Sequence, residues 1–167
     1  VLSFASNLHA EAGEHPKLVV VVTVDQMRPD HLTRLKPLYK HGFARMLNQG
    51  AVFHNARHNH GYTVTGAGHA AIGTGCYPSR NGVVGNSWYD RNLGRSVYCC
   101  EDTTAAIIGK PDAQPRRGRS PVQILSTDLG TWVKTANKKS KVYGVARKDR
   151  AAILAPGRRA DGAYWYS

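Results

Sequence analysis

From Leu18 to Val24 the chain runs as seven residues, LVVVVTV, with one polar side chain among them. Such a β-branched run without alternation predicts a strand buried on both faces, ending at Asp25. Arg28-Pro29-Asp30 opens a helical stretch, with Pro suited to a first turn. Phe43 to Leu47 continues as a short amphipathic helix that Gly50 closes, and Ala51-Val52-Phe53 reads as a second short strand. Between Thr65 and Thr74 the chain is rich in Ala and Gly with a single Ile, the pattern of a tightly packed helix that Gly75 terminates. A turn-rich region follows as far as Arg119, with a strand expected at Ser96 to Cys100. Ser120-Pro121 places an N-cap residue before Pro and predicts a helix through about Ala136. Lys141 to Val145 reads as a further strand, and Ile153-Leu154 as a short one. Strands alternating with helices predict an α/β domain around a mainly parallel sheet. No internal repeat interrupts that order.

Composition narrows the class. Of 167 residues, 41% are hydrophobic and 20% charged, as in folded globular proteins. No run of about 18 apolar residues occurs, so no membrane span is expected. The formal net charge is +12, yet the basic residues are not gathered on one element. Arg116, Arg117 and Arg119 form one group, and Lys134, Lys138, Lys139 and Lys141 another. A nucleic-acid reader concentrates its charge on one face, so no nucleic-acid partner is expected, and a basic nucleic-acid-binding module is only a rival reading; attraction of anionic substrates, or the imbalance of an incomplete chain, accounts for the excess. Three cysteines, Cys76, Cys99 and Cys100, leave two readings open: one bridge from Cys99 or Cys100 to Cys76 or to a segment beyond this chain, or buried thiols.

Both ends read as cut. Residues 1–12 resemble the tail of a secretory signal, with Ala10 or Ala12 as the last residue removed, the alternative being a frayed apolar terminus. Tyr164-Trp165-Tyr166 is an aromatic cluster of the kind that buries large areas, so the domain of residues 17–167 is expected to continue past Ser167.

In open parallel sheets, ligands collect at the carboxyl ends of strands. Asp25 ends the first strand, Thr65 starts a helix after a loop, and Lys148-Asp149-Arg150 follows a strand. Each taken singly has an ordinary structural reading: a cap, a second cap, a solvated loop. Their order and surroundings carry more. The run Thr63-Val64-Thr65-Gly66-Ala67-Gly68-His69-Ala70-Ala71-Ile72-Gly73-Thr74-Gly75 is followed by Tyr77-Pro78, Gly82-Val83-Val84 and Asn86-Ser87-Trp88-Tyr89-Asp90. With Val24-Asp25-Gln26-Met27-Arg28 before it and Lys148-Asp149-Arg150 after it, this resembles the nucleophile region of the alkaline phosphatase superfamily. The match looks like one branch of it, the phosphate-irrepressible alkaline phosphatases with a Thr nucleophile.

The resemblance implies an alkaline-phosphatase-like three-layer sandwich, of which this chain is the N-terminal portion. It also implies hydrolysis of phosphate monoesters, two Zn2+ ions, a monomer, and a periplasmic or extracellular location. Asp25 matches a metal-binding carboxylate, and Thr65 matches the nucleophile and a ligand of the same metal. Asn86 matches a donor to a phosphoryl oxygen, and Lys148 and Arg150 match the pair that grips the phosphoryl group. Most of the family's zinc ligands come from later sequence, so the isolated chain is expected to show little activity.

Elementary chemistry agrees with those roles. A Thr hydroxyl is a poor nucleophile until a metal or base activates it. At a helix N-terminus the Gly66 N–H would face an anion on Thr65. Lys148 and Arg150, two apart in an extended segment, would point the same way. Two fixed cations suit a dianionic monoester better than a monoanionic diester, so phosphodiesterase or nucleotide pyrophosphatase activity is the second reading. A sulfatase reading rests on Cys76-Tyr77-Pro78-Ser79-Arg80, which satisfies C-x-P-S-R. In sulfatases that Cys lies nine residues before a Thr-Gly pair, and here it is Thr65 that lies nine before Thr74-Gly75. His54, His58 and His60 crowd the loop before Thr65, but their Asn and Arg neighbours mark an ordinary polar loop. His69 faces the same side of its helix as Thr65, suiting packing or a supporting hydrogen bond.

Overall fold

The computed structural model describes residues 16–105 and 118–166. Arg116 and Arg117, and the signal-like residues 1–12, lie outside them. The chain divides into two compact units, with the boundary between Arg57 and His58.

In the first unit, the one-turn helix α1 (His31–Arg34) follows Asp30, and a 3₁₀ turn at Lys36–Leu38 comes next. Helix α2 (Gly42–Gln49) extends the predicted amphipathic helix, and Gly50 caps it as expected. The two predicted strands do not form. Leu18–Val24 is irregular, with Val20 67% and Val22 63% exposed, and Ala51–Phe53 forms no strand. A strand exists only through hydrogen bonds to a neighbour. No described strand pairs with the LVVVVTV run, so its β-propensity has no ladder to join.

The second unit is built around helix α3 (Thr65–Thr74), whose bounds match the sequence pattern. Val64 enters in extended conformation, and Gly75 leaves in the left-handed region at φ 62°, where its N–H bonds the Ala71 carbonyl. Seven of the ten residues of α3 are buried. The short helix α4 (Pro78–Asn81) follows. Asn81, fully buried, ties the turn together. Its amide donates to Thr74 Oγ1 and to the Cys76 carbonyl, and its Oδ1 accepts from Val83 N–H at 2.9 Å.

Strands β1 (Ser87–Asp90) and β2 (Arg95–Tyr98) form an antiparallel hairpin, Ser87 facing Tyr98. Cys99 and Cys100, expected at the end of that strand, lie buried just past it. Helix α5 spans Leu129–Ala136, not the stretch opened by Ser120-Pro121. Ser120 instead donates its hydroxyl to Asp102, and the cap is Asp128, fully buried, accepting from Thr131 N–H at 2.8 Å and Arg158 N–H at 2.7 Å.

The last part is a βαβ unit. Strand β3 (Tyr143–Ala146) pairs in parallel with β4 (Gly162–Trp165), and helix α6 (Asp149–Leu154) crosses between them. Ile153 and Leu154, read from sequence as a strand, close α6; a short apolar run does not distinguish the two states. Asp161 pins the entry to β4, bridging Lys134 at 2.6 Å and Lys141 at 3.1 Å. Of the terminal aromatic cluster, Trp165 packs against the core while Tyr164 and Tyr166 face outward. The core joins Ala70, Val83, Cys99, Cys100, Ile124, Ile153 and Leu154. Among the described residues the architecture is a mixed α/β arrangement with two small sheets, one parallel and one antiparallel, in place of the mainly parallel sheet expected.

Candidate active site

Helix α3 rests against α6 because Gly73 has no side chain. A Cβ there would collide with the Ala155 carbonyl oxygen and approach that of Leu154 to 2.8 Å. This packing carries Thr65, the first residue of α3, to the start of α6. Thr65 is 9% exposed, and Nζ of Lys148 lies 3.5 Å from its hydroxyl oxygen. Lys148 stands one residue before α6 with extended backbone (φ −107°, ψ 138°), while Asp149 and Arg150 already belong to the helix. The expected alternation of Lys148 and Arg150 along an extended segment therefore does not hold. The two cations are displayed by a turn.

Gly66 meets its partner differently from the expectation. Its N–H donates to Asn86 Oδ1 at 2.7 Å. That bond fixes which end of the amide faces the helix, leaving the Asn86 NH2 directed elsewhere as a donor. Contact at Gly66 is close: a Cβ would lie 2.8 Å from the Gly85 carbonyl oxygen, 3.0 Å from Cys99 Sγ and 3.2 Å from Asn86 Oδ1. His69, one turn on and buried, bonds the Thr65 carbonyl oxygen through Nδ1 at 2.8 Å, a supporting role within the helix.

Arg150 is held by Tyr98, which the sequence reading had not singled out. Its Nη1 donates to the Tyr98 hydroxyl at 3.0 Å, and that hydroxyl donates to Asp149 Oδ1 at 2.7 Å. Arg119 closes the group with Nε 2.8 Å from Asp149 Oδ2. Burial alone would raise the Asp149 carboxyl, and is the largest single influence on it. The bonds from Tyr98, Arg119 and the Arg150 backbone together outweigh burial and hold it below the usual carboxylate range. Burial, reinforced by the bond to Asp149, pushes the Tyr98 phenol above its ordinary value. Nothing in residue type or spacing marks Tyr98; only the hairpin brings it to Asp149, 51 residues away.

The cysteines are free thiols, so the bridge to Cys76 is not formed. The hydrogen bond that Cys100 donates to Cys99, and then burial, push Cys100 up, keeping it a protonated thiol. Cys76 follows Gly75, at the far end of α3 from Thr65. Ten helical residues separate them by roughly 15 Å, so the C-x-P-S-R match and the Thr65 cluster are different places.

Asp25 belongs to the first unit, at an exposed turn where Met27 N–H bonds the Val24 carbonyl and Gln26 has φ 62°. Among the described residues no three His, Cys, Asp or Glu side chains form a group that could hold a metal ion. His58 and His60 contact edge to face with ring centroids 5.3 Å apart, a pair without a third ligand. Zinc takes four ligands. Asp25 and Thr65 are too few, so these residues do not by themselves fit the two Zn2+ ions that the resemblance implies. No described helix is long and apolar enough to cross a membrane.

Comparison with known proteins assigns the family. Residues 19–167 match the model of the type I phosphodiesterase / nucleotide pyrophosphatase family. The alkaline phosphatase PafA of Elizabethkingia meningoseptica is 44% identical over 157 residues, covering 93% of this chain and 29% of that protein. Alkaline phosphatase PhoV of Synechococcus elongatus is 42% identical over 153 residues, covering 90% and 28%. The crystal structure of wild-type PafA superposes with a TM-score of 0.84 at 42% identity, covering 94% of this chain and 30% of that one. A PafA mutant structure superposes with a TM-score of 0.77 at 39% identity, covering 86% and 28%. That mutant has a Thr, an Asn, a Lys and an Arg replaced at successive intervals of 21, 62 and 2 residues, the intervals that separate Thr65, Asn86, Lys148 and Arg150. This chain thus spans under a third of the length of those relatives. It belongs to the type I phosphodiesterase / nucleotide pyrophosphatase family of the alkaline phosphatase superfamily, on the branch of the PafA and PhoV alkaline phosphatases.

Proposed function

We propose that the protein hydrolyses phosphate monoesters through a covalent phosphothreonine at Thr65, residues 17–167 forming the N-terminal part of its catalytic domain. The observation that carries this reading is the hydroxyl of Thr65 at the start of α3, with the Lys148 ammonium 3.5 Å away. The cation favours the ionised oxygen, which a Thr needs to become a nucleophile. Attack forms the bond from Thr65 Oγ1 to phosphorus and breaks the ester bond, and the alcohol leaves with a proton from solvent. Water then cleaves the Thr65 phosphoester, releasing inorganic phosphate and the free hydroxyl. Lys148, Arg150 and the Asn86 NH2 supply fixed positive charge and a donor for the equatorial oxygens, where transition-state charge accumulates. Gly66 acts here as the residue that orients Asn86, replacing its expected contact with substrate.

Zn2+ belongs to the proposal through the family, whose motif Asp25 and Thr65 each match. So do a monomeric state and a periplasmic or extracellular location, which rest on the family. The test is aryl-phosphate hydrolysis by the full-length protein and its Thr65→Ala variant, with phosphothreonine trapped at low pH and located by mass spectrometry. Full activity in Thr65→Ala would overturn the reading. The family's description favours one alternative, phosphodiester hydrolysis. Converting Lys148 and Arg150 to Ala lowers monoester turnover far more than diester turnover under our reading, and both equally under the alternative.

A further inference from the structure

The polar group around Arg150 has a definite direction in every bond. A phenol has one proton. Tyr98 gives it to Asp149 Oδ1 at 2.7 Å, so its lone pair accepts from Arg150 Nη1 at 3.0 Å. Asp149 Oδ1 also accepts the Arg150 backbone N–H at 2.7 Å, and its Oδ2 takes Arg119 Nε at 2.8 Å. The Arg119 guanidinium lies 4.8 Å from the Tyr98 ring centroid, steadying the phenol from its face. All these side chains are largely enclosed: Asp149 is 16%, Arg150 21% and Arg119 22% exposed. Arg150 Nε is buried with no hydrogen-bond partner. Among the described residues, this guanidinium is held by its hydrogen bond to Tyr98 and by a looser ion pair with Asp149 Oδ1 at 3.9 Å.

We infer that Tyr98, backed by Asp149 and Arg119, is a positioning residue that aims the Arg150 guanidinium at a bound phosphoryl group. The inference rests on the proposed role of Arg150. An Arg side chain has four rotatable bonds and loses its rotamer freedom on binding. A partner that fixes it in advance makes that loss before the anion arrives. Burial keeps the phenol protonated, so the bond to Asp149 persists across neutral and moderately alkaline pH.

The test is a double-mutant cycle in the full-length protein with Tyr98→Phe, Arg150→Ala and the pair. Affinity for inorganic phosphate is read by calorimetry and kcat/KM with an aryl phosphate, with thermal unfolding as a check on folding. Removing the Tyr98 hydroxyl is expected to weaken phosphate binding and lower kcat/KM about tenfold when Arg150 is present, and less than about twofold when it is Ala. The same loss in both backgrounds, or none in either, overturns the inference. Should Tyr98→Phe fail to fold, Asp149→Asn takes its place in the cycle with the same two outcomes. Coupled phosphate binding without monoester turnover would leave the positioning role standing and remove the monoesterase reading. Turnover without coupling would do the reverse.

Discussion

Leu18–Val24 and α3 use apolar character in opposite ways. The first has six apolar residues in seven, and Val20 and Val22 are more than half exposed. The second is mostly Gly, Ala and Thr, yet Ala67 and Ala70 are fully buried. Transfer free energy scales with apolar area, so on that ground the valine run has far more to gain. What it lacks among the described residues is a partner. Helix α3 has partners because its surface is smooth: bare α-carbons at Gly66 and Gly73 let the Gly85, Leu154 and Ala155 carbonyls come close. An element that satisfies its own backbone hydrogen bonds needs only a fitting surface beside it, whereas a strand needs another strand.

That contrast can be broken or sharpened by substitution. The largest effect is expected at the helix start. Thr65→Ala should lower phosphate monoester turnover of the full-length protein by at least about a thousandfold while its thermal unfolding midpoint stays nearly unchanged. Next is the packing that places Thr65. Gly73→Ala drives a methyl into the Ala155 carbonyl and should cost about 3 kcal/mol in urea unfolding. A neutral result would show that α3 does not depend on that close approach. Asp128→Ala leaves the Thr131 and Arg158 N–H groups without their acceptor and should cost about 2 kcal/mol by the same measurement.

A smaller effect is expected from acid. The Asp149 carboxyl is held below its ordinary value, so the ionised form stabilises the fold above the usual carboxylate pKa, and that contribution is lost as pH falls through the lowered native value. Wild type should therefore lose stability on acidification below about pH 4, and Asp149→Asn should flatten that limb. The smallest effect belongs to the valine run. Val20→Thr or Val22→Thr in the 167-residue chain should change stability by less than about 0.5 kcal/mol. A loss of several times that size would mean the run is covered, and the contrast with α3 would fail.

Much of the local structure was legible. Gly75 marks the end of α3 because a left-handed residue is needed there, whereas Gly50 closes α2 in extended conformation, where a Cβ would come within 2.6 Å of the Met46 carbonyl oxygen. The α5 start was not legible. Ser120-Pro121 has the right chemistry for a cap, but its hydroxyl is drawn to Asp102, and the buried Asp128 does the capping eight residues later. Lys148-Asp149-Arg150 was recognisable as a cluster, yet its geometry was misread. A three-residue polar segment carries no period, so nothing local distinguishes an extended strand end from a helix start.

Residue order alone determined the helix that carries Thr65, the family to which the chain belongs, and the identities of Asn86, Lys148 and Arg150 as its candidate partners. Those depend on backbone preferences and motif spacing, which are local. Only the tertiary structure decided that Gly66 is engaged with Asn86, that Arg150 leans on Tyr98, and that the valine run has no described ladder to join. Each of these is a hydrogen bond, or its lack, between groups far apart along the chain. Which distant donor meets which acceptor is settled by how helices and strands pack, and the identity of a single residue carries no record of it.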